Sequence, residues 1–310
     1  MSGPIAAYTD IVQCDPSEGV RLLEEAGFDV RIIDSADPTV IAEHARDASA
    51  LLIGYAQVDR ALMDALPDLR IIATQSVGTD MVDVAEAHSR GIVVSNVPDA
   101  AVEEVSTHAF AMILAMLRGL PFLDREVRSG DWDGTRLTLR RPSETVVGIA
   151  GLGRIGRGLA SLAVPVFKEV IGYDPMLDAE DWPPGVRRVA FDTAISDSDV
   201  LSLHIPLTQQ TRHLIGAAEL AAMHQGASIV NVARGGLIDQ EALLTVLDSG
   251  HLASAALDVV AEEPPPLDDP VRSHPRIMVS PHVAYMSESS RRDYVVAQAR
   301  NVIDWHRAAT

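Results

Sequence analysis

Cysteine is nearly absent. Cys14 stands alone among 310 residues, so no disulfide can close within the chain, and the composition fits a reducing compartment. Aromatic residues are also scarce, at 4% against 47% hydrophobic residues overall. Cores must then be built from Ala, Val, Leu and Ile, which suits buried parallel strands. Basic residues are outnumbered 44 to 25, a net charge of −19, and none of them cluster. That argues against a nucleic-acid partner, which needs a basic face, and the acidity serves solubility instead. No apolar stretch is long and charge-free enough to span a bilayer, so no membrane contact is expected. Met1-Ser2-Gly3-Pro4 has neither a basic n-region nor an apolar h-region, so no export signal is expected and the cytoplasm is the expected location. The ten histidines show no paired His/Cys spacing, so no metal is expected.

What the chain does have is glycine at telling intervals. Val146 to Ala150 reads as a buried strand, Gly151-Leu152-Gly153 as a tight turn, and Arg154-Ile155-Gly156 as a helix start. Gly151, Gly153 and Gly156 form G-x-G-x-x-G, in which the first glycine permits the turn, the second admits a pyrophosphate and the third lets helix and strand touch. The phosphates would rest on free N–H groups at the helix N-terminus. A second strand, Val170 to Tyr173, ends in Asp174, about 20 residues beyond the glycines, where a carboxylate accepts from the adenosine ribose hydroxyls. The competing reading of Asp174 is a turn residue before Pro175. Pro175 and Met176 offer no cation for a 2′-phosphate, so NAD is expected over NADP.

Short apolar runs alternate with helical patterns from Ile5 to about Val94 and again from Val146 to Val279. That rhythm predicts two doubly wound parallel α/β sheets with a cleft between them. Asp99 to Leu117 reads as a connecting helix with a stop near Gly119-Leu120-Pro121. Leu123 to Arg141 reads as a solvated loop or as an arm packed on a second subunit. Ser289 to His306 reads as a closing helix.

Three stretches follow strands of the second set, where α/β sheets place their ligands. Asn231-Val232-Ala233-Arg234-Gly235-Gly236 puts an Arg at a strand tip. Its planar fork suits a carboxylate, although an exposed turn Arg is an equal reading. In Leu257-Asp258-Val259-Val260-Ala261-Glu262-Glu263-Pro264 the ordinary reading is a solvated acidic loop. Ser280-Pro281-His282 supplies a His, which acts in chemistry only if a carboxylate orients it and a substrate oxygen faces it.

Taken together with Ser76-Val77-Gly78-Thr79-Asp80, and in this order and separation over nearly the whole chain, these motifs resemble the D-isomer-specific 2-hydroxyacid dehydrogenases. The resemblance implies a Rossmann-type dinucleotide domain over residues 96–287 and a flavodoxin-like substrate domain over 1–95 and 288–310. It implies NAD as cofactor, a small 2-hydroxy or 2-oxo acid as substrate, and a homodimer. By the same resemblance Arg234 binds the substrate carboxylate and reacting oxygen, His282 is the general acid/base, and Glu263 pairs with it. Val77 and Gly78 hold the other carboxylate oxygen through their amides, and Tyr55 stands where relatives bring a substrate-facing Arg, either shaping the pocket or packed as an ordinary tyrosine. Gly151, Gly153, Arg154, Ile155 and Gly156 line the pyrophosphate and Asp174 the ribose. Ile205 and Pro206 border the adenosine side and Val232 and Ala233 the nicotinamide ribose. Asp258 reaches the carboxamide, with Arg234 and His282 beside the ring.

Cys14-Asp15-Pro16, Gly54-Tyr55-Ala56 and Val105-Ser106-Thr107-His108 lean toward the C-terminal-binding-protein-like and short phosphoglycerate dehydrogenase subgroup. An NAD(H)-sensing interaction module is therefore the alternative to an enzyme. The end at Thr310 leaves no room for the regulatory domain of long phosphoglycerate dehydrogenases, and serine feedback is not expected.

Overall fold

The computed structural model describes residues 3–11 and 14–309, so Met1, Ser2, Val12, Gln13 and Thr310 lie outside it. The chain divides into two compact units, Met1–Ala101 with Met286–Thr310 and Val102–Tyr285.

In the first unit β1 (Ile5–Tyr8), α1 (Ser17–Glu25), β2 (Asp29–Ile32), α2 (Pro38–His44), β3 (Ala50–Ile53), α3 (Arg60–Ala65), β4 (Ile71–Thr74), α4 (Val84–Ser89) and β5 (Val93–Ser95) alternate. The five strands pair in the order β2-β1-β3-β4-β5, parallel throughout, which is the flavodoxin-like order. β3 and β4 are buried at every residue, as the apolar runs Ala-Leu-Leu-Ile and Ile-Ile-Ala-Thr require of central parallel strands. Asp37, Asp59 and Asp83 start their helices by accepting from Thr39, Leu62 and Glu86 amides, which satisfies N–H groups that have no partner within the helix.

The second unit runs α5 (Val102–Leu117), α6 (Leu120–Arg128), β6 (Val146–Ala150), α7 (Arg154–Ala163), β7 (Glu169–Tyr173), β8 (Val186–Arg188), α8 (Phe191–Asp197), β9 (Val200–Leu203), α9 (Ala217–Ala222), β10 (Ser228–Asn231), α10 (Gln240–Asp248), β11 (Ser254–Leu257) and β12 (Ile277–Val279). Its seven strands order as β12-β11-β10-β9-β6-β7-β8, again all parallel. The order turns back between β6 and β9, the switch point at which Rossmann sheets bind dinucleotides. Among the described residues no single helix is long and apolar enough to cross a membrane.

The last helix, α11 (Glu288–Ala309), belongs to the first unit. Its Ala299, Val302 and Ile303 join Leu23, Leu52 and Ile71 in one core, while Ile41, Leu62 and Met63 of α2 and α3 fill the opposite face of the same sheet.

One expectation needs correcting, and one strand went unannounced. The segment expected to be a loop or arm from Leu123 begins inside a helix. Gly119 caps α6 and Pro121 lies in its first turn, a position where the missing proline N–H has no helical partner to lose. The short edge strand β8 has only one buried residue, Val186, so its sequence carries no apolar run to announce it.

Candidate active site

Within the second unit three of the expected site residues lie just past the carboxyl ends of strands. Arg234 follows β10, Asp258 follows β11, and His282 follows β12. The Arg234 turn is tied by buried Asn231, whose Oδ1 accepts from Ala233 N at 3.0 Å and whose Nδ2 donates to Arg234 O at 2.9 Å. Gly235 then passes so close to the next loop that a Cβ there would lie 1.8 Å from Val260 O. Only a glycine lets the Arg234 turn and the loop carrying Glu263 pack backbone to backbone.

That loop aims Glu263 at His282. Glu263 Oε1 accepts from Val260 N at 3.0 Å, and Oε2 meets His282 Nδ1 at 2.6 Å. Burial pushes the Glu263 carboxyl up. The hydrogen bond and charge of His282, the Val260 amide and the Arg234 charge outweigh it, and hold the group below the usual carboxylate range. Glu263 is thus ionised at neutral pH, and Arg234 stands near enough to act on it. Glu262, its neighbour in sequence, is exposed.

His282 has φ of 52°, a left-handed conformation that costs a non-glycine residue about 1 kcal/mol or more. Asp258 holds it there. The His282 amide donates to Asp258 O at 2.8 Å. The Asp258 carboxylate, 2% exposed, accepts from Ser280 Oγ at 2.5 Å, Val283 N at 3.0 Å and Ala284 N at 2.9 Å. His108 of α5 closes the set, with Nε2 3.1 Å from Ser280 Oγ. Because the Ser280 hydroxyl donates to Asp258, its oxygen is the acceptor for His108 Nε2–H.

In the first unit Tyr55 follows β3 and is 45% exposed. Its loop is gathered on Asp10, whose carboxylate accepts from the amides of Gly54, Tyr55 and Ala56 at 3.0, 2.5 and 3.3 Å. Val77 and Gly78 follow β4.

The family model for the D-isomer specific 2-hydroxyacid dehydrogenase NAD binding domain matches residues 110–284. The chain belongs to the D-isomer specific 2-hydroxyacid dehydrogenase family. It is 36% identical to a glyoxylate reductase of Korarchaeum cryptofilum, over 94% of this chain and 90% of that one. It is 31% identical over 93% of its length to a D-3-phosphoglycerate dehydrogenase of Archaeoglobus fulgidus, of which it spans 55%. A solved glyoxylate reductase from Paecilomyes thermophila is similar with a TM-score of 0.88 and 29% identity, covering 98% of this chain and 96% of that one. The chain is thus an NAD-dependent dehydrogenase.

The turn after β6 of this dehydrogenase fits a dinucleotide. Gly151 has φ of 95°, and a Cβ there would lie 2.5 Å from His204 O. A Cβ on Gly156 would lie 2.0 Å from Gly151 O, whereas one on Gly153 would meet nothing within 4 Å. Two glycines are therefore required by the protein, and the third faces the open side where a pyrophosphate would lie. Arg154 and Ile155 open α7. Asp174 sits beside the turn, Oδ2 accepting from Leu152 N at 2.8 Å and Oδ1 from Met176 N at 2.9 Å. Each oxygen keeps a second lone pair for a hydroxyl. Ile205 and Pro206 follow β9 and Val232 and Ala233 follow β10, so both pairs sit at strand ends on the same edge of the sheet as the glycine turn.

Sequence reasoning missed three supports. Asn231 carries a local sign, a short amide side chain at a strand end before a turn. His108 and Asp10 carry none, since the partners of each are far along the chain.

Proposed function

We propose that this dehydrogenase interconverts a small 2-oxo acid and its D-2-hydroxy acid, with His282 as general acid and base. The single observation that supports this most is the 2.6 Å bond from His282 Nδ1 to Glu263 Oε2. In this reading Glu263 orients the ring through Nδ1, and Nε2 is the atom that meets the substrate oxygen. In reduction the imidazolium gives its Nε2 proton to the carbonyl oxygen while the carbonyl carbon gains a hydride, leaving alcohol and neutral imidazole. In oxidation neutral His282 takes the hydroxyl proton back. Ionised Glu263 balances the imidazolium charge in both directions. Bound NAD(H) supplies or accepts the hydride.

Arg234 grips the substrate carboxylate and polarises the reacting oxygen with its planar fork. The Val77 and Gly78 amides take the other carboxylate oxygen, and Tyr55 borders the substrate. Gly151, Gly153, Arg154, Ile155 and Gly156 hold the pyrophosphate. Asp174 holds the ribose hydroxyls and disfavours a 2′-phosphate, which makes NAD the preferred form. Ile205 and Pro206 flank the adenosine side, Val232 and Ala233 the nicotinamide ribose, and Asp258 the carboxamide, with Arg234 and His282 beside the ring.

That two relatives are named glyoxylate reductase argues for one of the smallest 2-oxo acids as substrate here. The test is a panel of glyoxylate, pyruvate, hydroxypyruvate and bulkier 2-oxo acids with NADH and NADPH, followed by cofactor absorbance. Turnover with NADH on at least one small acid is expected, and none across the panel rejects the reading. A cytoplasmic homodimer is the matching proposal for assembly, supported by Leu120, Val127 and Trp132, which are exposed on and just after α6. A monomeric mass by light scattering rejects it.

A further inference from the structure

We infer that Asn96 is a positioning residue, which aims the Val77 and Gly78 amides outward as a preformed seat for the substrate carboxylate. The inference rests on the reaction proposed above and adds the group that makes its carboxylate site.

A trans peptide unit is planar, with C=O and N–H on opposite sides. Pinning one carbonyl therefore aims the amide of the next residue. In the loop after β4, Val97 N donates to Ser76 O at 2.9 Å, which points the Val77 amide the other way. Asn96 Nδ2 donates to Val77 O at 2.6 Å, which does the same for the Gly78 amide. Ser76 Oγ takes Gly78 O at 2.6 Å, so all three carbonyls of 76–78 are occupied. Among the described residues neither the Val77 nor the Gly78 amide has a partner, and Val77 is exposed. Two adjacent outward N–H groups of fixed direction make an anion seat.

Asn96 is itself braced. Its carbonyl accepts from Asn301 Nδ2 of α11 at 2.9 Å. Gln298, fully buried on the same helix, donates to Ile53 O at 3.0 Å and Ala73 O at 2.8 Å. It thereby ties the ends of β3 and β4, which lead to Tyr55 and to the seat. The chemistry at 96 requires a donor. An aspartate of the same shape would set a carboxylate against the Val77 carbonyl and turn that peptide unit, and the Gly78 amide, away.

The test compares wild type with Asn96→Asp, using the best 2-oxo acid of the panel and oxamate as a non-reacting analogue. Losing one directed bond to a charged group is expected to raise KM and the oxamate inhibition constant together, about tenfold or more. The kcat at saturation should stay within about threefold, with NADH affinity by fluorescence titration and Tm nearly unchanged. A merely structural role would lower Tm and kcat instead. A folded Asn96→Asp enzyme with unchanged KM and oxamate inhibition overturns the inference. If that variant does not fold, Asn301→Ala keeps the donor and loosens its brace. It is expected to raise KM about threefold with kcat unchanged, and an unchanged KM overturns the inference. Wild type that neither reduces any 2-oxo acid nor binds oxamate removes the reaction itself, and the inference with it. Wild type that does both while the variants match it removes only the role of Asn96.

Discussion

Two loops at the carboxyl ends of parallel strands present their groups in opposite ways. Behind His282 one buried acceptor collects donors, as Asp258 takes the Ser280 hydroxyl and the Val283 and Ala284 amides. Behind Val77 and Gly78 donors collect acceptors, as Asn96, Ser76 and the Val97 amide take three carbonyls. The first arrangement bends the backbone so that a titratable ring faces out. The second leaves two amide dipoles facing out. The difference matches the tasks proposed for them. Moving a proton needs a group whose charge changes near neutral pH, whereas holding a carboxylate needs only fixed dipoles that never titrate.

The comparison can be broken most sharply at its titratable end. His282→Gln is expected to lower kcat about 10³-fold in both directions while NADH still binds. Stopped-flow rates within tenfold of wild type would take His282 out of the proton path. Next in size, Arg234→Ala is expected to cut kcat/KM for 2-oxo acids about 10²- to 10³-fold. Equal efficiency in that variant would leave carboxylate binding to the amides alone.

A smaller change sharpens the contrast in how the loops are held. Asp258→Asn turns one end of the buried acceptor into a donor facing other donors. It should lower kcat about 10- to 100-fold and reduce stability by about 1–3 kcal/mol. Full activity with a chemical-denaturation midpoint like that of wild type would show that the left-handed turn needs no carboxylate.

The last effect touches stability and not activity, and lies under the glycine turn, where burial pushes His204 down to about 4 from 6.5. Between those values the unfolded chain binds a proton that the folded chain does not. The stability this one group contributes is therefore expected to be complete above about pH 6.5 and to be lost as pH drops toward about 4. Melting temperatures across that window should decline, and His204→Gln should flatten the decline. Identical slopes would mean that other groups set it.

The strand-end residues were legible in the sequence because short apolar runs mark the tips of parallel strands. Gly151, Asp174, Arg234, Asp258 and His282 each stand within three residues of the end of such a run. The supports were not legible, since they act across long separations. His108 and Ser280 lie 172 residues apart, and Asp10 and Tyr55 lie 45 apart. No local spacing encodes either pair. The α6 start was misread for a different reason. Gly119-Leu120-Pro121 carries the residues of a helix stop, yet the same glycine that ends α5 caps the next helix and the proline sits in its first turn.

The placement of α11 bears on the order in which the protein can be completed during synthesis. The second unit is one uninterrupted stretch and has everything it needs once Tyr285 has emerged. The first unit begins sooner and finishes later, because one face of its sheet has only α1 packed on it until Ala299, Val302 and Ile303 arrive. A nascent chain stalled before α11 would thus display a folded nucleotide half beside an N-terminal half with open apolar strands, the form most in need of a chaperone.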